Sequence, residues 1–413
     1  MNKIKNVKLS SKGKLSYEWA KDHMRILVET IDKLRKNKPL EGITLGFCLH
    51  ITKETSVLLM GAKELGAKIA ACGANPLTTQ DDIAAFLASN GINIYAWKNQ
   101  TNKDYNYCIE RVLDYKPDIL TDDGADMNIK AHFSNKYNLL KIMGSTEETT
   151  AGVNRLKAIS NKGKLRYPVI AVNNAYTKHM FDNKYGTGQS TIDGYLRSMN
   201  LLFASKYVVI VGYGWVGKGV SMRCRGMGSK VIVTEVNALR GLEAHMDGFD
   251  VMPMSKASKI GDIFITCTGM INVINEKHLL NMKNGAVVGN VGHFDVEIDT
   301  KFLLKNSKSV QEIRPNLSSC TMNNKKIYLI GRGRVANLVA AEGHPPEVMA
   351  QSFSNQILSI LYILKHHKNM KKIVYNVPAE IDNQIATSAL RAMDVKIDAL
   401  TPEQKNYINN WNP

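Results

Sequence analysis

A run of four β-branched residues, Val208, Val209, Ile210 and Val211, stops at Gly212, and the chain continues Tyr213-Gly214-Trp215-Val216-Gly217-Lys218-Gly219. No other stretch constrains the fold as tightly. The apolar run reads as a buried strand, the glycine as a tight turn, and the residues through Met227 as a helix. In a G-x-G-x-x-G pattern the first glycine permits the turn and the second lets backbone approach a pyrophosphate. The third lets helix and strand pack closely. The helix N-terminus then offers free N–H groups to phosphate. A further strand, Lys230 to Thr234, ends on Glu235, whose carboxylate suits the hydroxyls of an adenosine ribose and favours NAD over NADP. An NAD site using Gly212, Gly214, Trp215, Val216, Gly217 and Glu235 is the expectation.

At 413 residues the chain is long for one core, which predicts two domains. Ahead of the fingerprint, strands and helices alternate. Thr44 to Leu49, Lys68 to Ala71, Ile92 to Trp97 and Ile119 to Leu120 read as strands; Glu54 to Leu65, Thr79 to Ser89 and Lys103 to Tyr115 read as helices. An amphipathic helix from Tyr17 to Leu34, with Trp19, Met24, Leu27, Ile31 and Leu34 on its apolar side, precedes them. Val169 to Val172 is a further strand, and Ile263 to Thr266 and Ala286 to Val288 continue the second series. The fold class predicted is α/β: two doubly wound parallel-sheet domains, a substrate domain over 1–185 and a Rossmann NAD domain over 186–345, joined by hinges. Residues 346–413 are expected to return to the first domain and form an oligomer interface.

In such sheets, functional groups collect at the carboxyl ends of strands. Those ends carry His50, Thr52 and Glu54; Asn75, Thr78 and Gln80; and Asp122, Asp123 and Asp126. Singly, each suits a cap or a turn; recurrence at successive strand ends points to a site. Lys178 and Asp182 stand four apart, which on a helix puts ammonium and carboxylate on one face. By itself that spacing equally describes a surface pair. The loops holding Thr268-Gly269 and Asn290 to Asp295 should border a nicotinamide.

Composition narrows the remaining classes. The net charge of +17 raises the question of nucleic acid, but the basic runs Lys33 to Lys38 and Lys365 to Lys372 lack interleaved aromatics and any accompanying motif, so they read as solvated faces. The most apolar run, Ile357 to Leu364, is too short to span a bilayer. Six scattered cysteines show neither C-x-x-C nor zinc spacing, which suits reduced thiols in a cytoplasm; no metal is expected.

Eight motifs in order, LHITKET (49–55), TTQDD (78–82), DDGAD (122–126), EETTAGV (147–153), YTKHMFDNKYG (176–186), GYGWVGKG (212–219), NVGHFDVEID (290–299) and GHPPEVM (343–349), resemble S-adenosyl-L-homocysteine hydrolase across nearly the whole chain. The resemblance implies a hydrolase that uses NAD catalytically: it oxidises the ribose 3′-hydroxyl to a ketone, expels homocysteine from C5′, adds water and reduces the ketone again. By motif, it implies Lys178 and Asp182 at the 3′-hydroxyl, with the lysine pKa lowered beside a positive nicotinamide. His50 and Asp123 would handle the C4′ proton, water and leaving group. Glu148, Asn173, Asn183 and His293 match ribose and nicotinamide-side positions, and Thr52, Glu54 and Met349 the purine pocket. His344 matches a gate histidine that closes with Phe294. Thr149, Thr150, Arg240, Thr268, Gly269, Asn290, Gly292 and Asn337 join His293 and the fingerprint residues around NAD. A homotetramer is implied as well.

The chain departs from the long form of that family in ending at Pro413 without the extension that reaches a neighbour's NAD site. Arg240 replaces an asparagine near the adenosine ribose, which weakens the exclusion of NADP. Glu54 suits the amino group of adenine or the N1–H of hypoxanthine, so S-inosyl-L-homocysteine stands as the alternative substrate. A net dehydrogenase would rest on the Rossmann half alone. A non-catalytic NAD-binding relative would be expected to have lost Lys178, Asp182, Asp123 or His50.

Overall fold

The computed structural model describes residues 2–137 and 140–411. Six strands, β1 (Thr44–Cys48), β2 (Lys68–Cys72), β3 (Asn93–Tyr95), β4 (Ile119–Asp122), β5 (Gly144–Glu147) and β6 (Val169–Ala171), form one parallel sheet. The second sheet holds β7 (Tyr207–Val211), β8 (Lys230–Thr234), β9 (Asp250–Val251), β10 (Ile263–Thr266), β11 (Val287–Asn290), β12 (Ser309–Arg314), β13 (Leu317–Met322) and β14 (Lys325–Ile330). A last strand, β15 (Val374–Asn376), returns to pair in parallel with β6.

The two sheets share one winding. The first runs β3-β2-β1-β4-β5-β6-β15 and the second β9-β8-β7-β10-β11-β14-β13-β12. Each therefore reverses its strand succession between the first strand and the fourth, at β1/β4 and at β7/β10. That switch point opens a crevice beyond the carboxyl ends, where α/β sheets bind ligands.

Burial on both faces explains the continuous apolar runs. In β7, Val208 and Ile210 join one apolar cluster and Val209 and Val211 the other. In β1, Leu45 and Phe47 face one side and Cys48 the opposite one. The five fully buried cysteines and the half-buried Cys267 are all free thiols.

Four features differ from the sequence reading. The helix expected over 17–34 is two helices, Ser10–His23 and Arg25–Leu34, broken at buried Met24 (φ −105°, ψ 44°). The break turns Trp19 outward, 59% exposed, against His23. Strand β5 is composed of Gly, Ser, Thr and Glu, yet it is fully buried between β4 and β6. The Asp126–Phe133 helix follows β4 in a stretch that carried no helical expectation.

The second sheet is also not wholly parallel. β13 runs antiparallel to both β12 and β14, and Asn323-Asn324, at φ 49° and 58°, joins β13 to β14. Two consecutive positive φ values are what a two-residue hairpin with the right-handed strand twist requires.

Two long segments link the sheets. The chain from Tyr176 to Met199 is one helical rod, wound as π-helix over His179–Gly186. The Pro346–His366 helix, opened by a proline in its first turn, carries the chain back. Among the described residues no helix is long and apolar enough to cross a membrane.

Candidate active site

A cavity of about 890 Å³ lies between the carboxyl ends of the two sheets. All the residues that the resemblance assigns to the site line it except Phe294, Gly217 and Asn290; of the strand-end groups, Asn75, Thr78, Gln80, Asp122 and Asp126 do not. Gly217 lies behind the wall: a Cβ there would sit 2.0 Å from the Gly212 carbonyl oxygen, so only glycine lets the helix approach β7. Asn290 builds a loop instead of facing ligand. Its Oδ1 accepts from Thr266 Oγ1 (2.9 Å) and the Gly292 N–H (2.8 Å), while its Nδ2 donates to the Phe294 (2.8 Å) and Gly333 (3.1 Å) carbonyls.

The two residues that the resemblance assigns to a gate, His344 and Phe294, have separate partners here. Phe294 meets His293 edge-on, with centroids 4.6 Å apart, and Arg155 stacks on it at 5.1 Å. His344 faces inward: its Nδ1 is 3.2 Å from Asp182 Oδ1, and its Nε2 contacts Thr187 Oγ1 (3.1 Å) and Asn337 Nδ2 (3.3 Å).

On the dinucleotide side the residues fit NAD. Gly212 turns at φ +101°, a conformation L side chains resist, and the Trp215–Gly226 helix begins just beyond. Glu235 lines the cavity at the end of β8. Its carboxylate accepts from the backbone N–H groups of Tyr213 (2.8 Å), Val236 (2.6 Å) and Asn237 (2.9 Å). Burial works to raise this carboxyl, but those donors hold it low, so it remains an acceptor. Arg240 stands at the same rim.

Glu297, to which sequence reasoning gave no role, organises the loop after β10. It is buried and accepts from Thr268 N–H (2.9 Å), Thr268 Oγ1 (2.7 Å) and Gly269 N–H (2.8 Å). An acid set between Val296 and Ile298 was the available signal.

Across the cavity, polar and titratable groups stand one or two residues past successive strands of the sheet. His50 follows β1, Asp123 follows β4, Glu148 follows β5 and Asn173 follows β6. The β1/β4 switch point thus brings His50 Nε2 within 3.5 Å of Asp123 Oδ2. His293 arrives from the second sheet, with Nδ1 3.4 Å from Asp123 Oδ1. The other His50 nitrogen, Nδ1, is 2.7 Å from Thr78 Oγ1, which fixes the ring. Burial drives the His50 imidazole down to about 4 against the pull of Asp123, so it is neutral at pH 7.

Lys178 is the centre of the second cluster. Its Nζ donates to Asn183 Oδ1 (2.8 Å) and lies 3.2 Å from Asp182 and 3.4 Å from Glu148. Asn183 in turn donates to Asn173 (3.1 Å), and Asn173 to Thr150 (3.0 Å). Burial alone would lower the lysine, but Asp182 and Glu148 outweigh it and the net shift is upward. The two carboxylates hold it as an ammonium; the lowered pKa that the resemblance implies belongs to a lysine beside a bound nicotinamide. Those carboxylates differ. Burial pushes Glu148 up to about 7 despite Lys178. Asp182 would also be raised by burial, but Lys178, His344 and Ser352 hold it far below the usual carboxylate range.

At the remaining end of the cavity, Glu54 lies buried beside Thr52 and Met349. Lys53 Nζ, 3.2 Å from Glu54 Oε1, also reaches Glu342 at 2.9 Å.

A dinucleotide half facing a half that carries a buried lysine, several carboxylates and two histidines defines an NAD-dependent enzyme performing acid–base chemistry on a small molecule. Comparison with known proteins narrows this. The family model described as S-adenosyl-L-homocysteine hydrolase matches residues 1–141, and the model of that family's NAD binding domain matches residues 183–343. Adenosylhomocysteinase of Sulfurisphaera tokodaii is 53% identical over 410 residues, 99% of this chain and 98% of that protein. Adenosylhomocysteinase of Sulfolobus acidocaldarius is 52% identical, covering 99% and 98%. S-inosyl-L-homocysteine hydrolase of Methanocaldococcus jannaschii is 50% identical, covering 100% and 99%. The chain belongs to the S-adenosyl-L-homocysteine hydrolase family.

Proposed function

We propose that this enzyme reversibly hydrolyses S-adenosyl-L-homocysteine to homocysteine and adenosine through a 3′-keto intermediate. The observation that carries the reading is Lys178, buried between Asp182 and Glu148 in the same cavity as the dinucleotide fingerprint. Bound NAD would supply uptake and return of hydride at the ribose 3′ carbon. The chain's own residues do the rest. Lys178 moves the 3′-hydroxyl proton, for which it must first release its own. Asp182, Asn183 and Asn173 orient the ribose. His50, neutral and fixed by Thr78, and Asp123 exchange the C4′ proton and manage water and thiolate at C5′. Thr52, Glu54 and Met349 hold the purine. Thr149, Thr150, Thr268, Gly269, Gly292, His293 and Asn337 would hold the cofactor.

The reading divides the chain at residues 185 and 345, with hinges near 180–190 and 343–350. Closure there would exclude water from the reactive ketone. A cytoplasmic homotetramer is part of it. Exposed Val395, Ile397, Leu400, Tyr407, Ile408 and Trp411 support an interface along the final segment.

S-inosyl-L-homocysteine is the second reading. Burial raises the Glu54 carboxyl, and Lys53, 3.2 Å away, opposes that rise; as a carboxylate, Glu54 takes the N1–H of hypoxanthine or an amino group alike. The test is release of free thiol by NAD-loaded protein from S-adenosyl- and S-inosyl-L-homocysteine, side by side. No thiol from either refutes the proposal. Lys178→Met should keep its NAD yet show no absorbance of reduced cofactor on mixing with substrate; turnover like the wild type would remove Lys178 from the mechanism.

A further inference from the structure

The Gln351-Ser352-Phe353-Ser354-Asn355-Gln356 stretch of the returning helix is oddly polar for its position. Ser352, Ser354, Asn355 and Gln356 are all wholly buried. Two of them, one turn apart, reach the two carboxylates that flank Lys178. Ser352 Oγ donates to Asp182 Oδ2 at 2.7 Å, and Gln356 Nε2 donates to Glu148 Oε2. Buried polar groups without partners are costly, and Gln356 Oε1 has none, nor has Glu148 Oε1 any hydrogen bond.

We propose that Gln356 is a positioning residue that fixes Glu148 as the exchangeable proton partner of Lys178, while Ser352 holds Asp182 as its permanent counter-ion. This rests on the function proposed above. The asymmetry is geometric. Asp182 faces Lys178 at 3.2 Å, His344 at 3.2 Å and the Ser352 hydroxyl. Among the described residues, the Glu148 carboxylate has only the longer approach of Lys178, at 3.4 Å, and the Gln356 amide. Asp123 adds repulsion to Glu148, as does Asp182. A proton leaving Lys178 therefore goes to Glu148: one N–H bond breaks, one O–H bond forms, and an ammonium–carboxylate pair becomes a neutral amine and a neutral acid. No electrons move, and the reverse transfer restores the pair. A carboxamide suits both states. Its N–H₂ serves the carboxylate, and after rotation its unpartnered oxygen accepts from the acid.

The test compares Gln356→Met, which keeps size and removes the donor, with Ser352→Ala, both as NAD-loaded protein. Loss of a donor to a charged group raises a carboxyl by roughly one pH unit. The acid limb of kcat against pH should rise by about one unit in Gln356→Met and stay in place in Ser352→Ala, because Asp182 keeps Lys178 and His344. Equal movement in both variants, or in neither, overturns the proposal, since general disturbance of the helix would not separate them. Infrared titration of the Glu148 carboxyl, assigned by difference from Glu148→Gln, gives the same comparison without substrate. It thus stands even if the substrate assignment fails. Should Gln356→Met not fold, Gln356→Asn, one methylene too short to hold Glu148, must show the same displacement of that band; an unmoved band refutes the role.

Discussion

His50→Gln isolates one buried titration. The wild-type imidazole falls from its ordinary 6.5 to about 4, with burial as the main cause and the repulsion of His293 and His344 adding to it. In the unfolded chain it titrates near 6.5, so between pH 6.5 and 4 the unfolded state binds the extra proton. Stability therefore declines as pH falls through that window. The size of the shift corresponds to about 3 kcal/mol. Glutamine cannot titrate, so the substitution removes this loss. At pH 7.5 the variant should be about 1 kcal/mol less stable, through its altered contact with Thr78. By pH 4.5 the order should reverse, with a gain relative to pH 7.5 on the order of 3–5 °C in thermal midpoint. Midpoints of both proteins across pH 4–8 are the assay. A variant-minus-wild-type difference that is flat, or that widens against the variant in acid, refutes the assignment of a buried neutral imidazole. Catalysis at pH 7.5 should meanwhile drop by about 10²–10⁴, the usual worth of a general acid–base group.

Two predictions concern the cofactor side. Glu235→Gln removes the charge that three backbone N–H groups hold in place; NAD affinity by calorimetry should fall roughly 10- to 100-fold, and with Arg240 at the rim the preference over NADP should shrink. Gly217→Ala puts a methyl 2.0 Å from the Gly212 carbonyl oxygen, which overpacking of this kind makes worth about 1–3 kcal/mol. NAD retained through gel filtration should fall sharply in that variant while S-adenosyl-L-homocysteine still protects the first sheet from proteolysis.

The regular parts of this protein were legible because local rules sufficed. β7, β8 and β10 are short runs of mostly apolar, β-branched residues, and the structure keeps their bounds within a residue of those read. The fingerprint itself needed only Gly212 and Gly217 where a side chain would not fit. β5 escaped because its burial is not hydrophobic: its polar side chains bond inside the fold, as with the Thr146–Thr121 hydroxyl pair at 3.0 Å and Glu147 Oε1, which accepts from the Gly124 N–H at 2.8 Å. Asn323-Asn324 was a readable hairpin signal that the expected parallel series obscured.

What the sequence determined unaided was the existence of an NAD site and, through its ordered motifs, the family. Identity of side chains is enough for that. Tertiary structure decided how those side chains are charged. A lysine four residues from an aspartate says nothing about a second carboxylate arriving from the end of β5, or about a serine and a glutamine arriving from a helix some 170 residues further on. Proton affinity is set by burial and by neighbours within a few ångströms, and those distances exist only once the sheets face each other. That is why the two carboxylates that raise Lys178, one of them from the end of β5, could not be read from the Lys178–Asp182 spacing. The same packing set His344 against Asp182 and left Phe294 to His293.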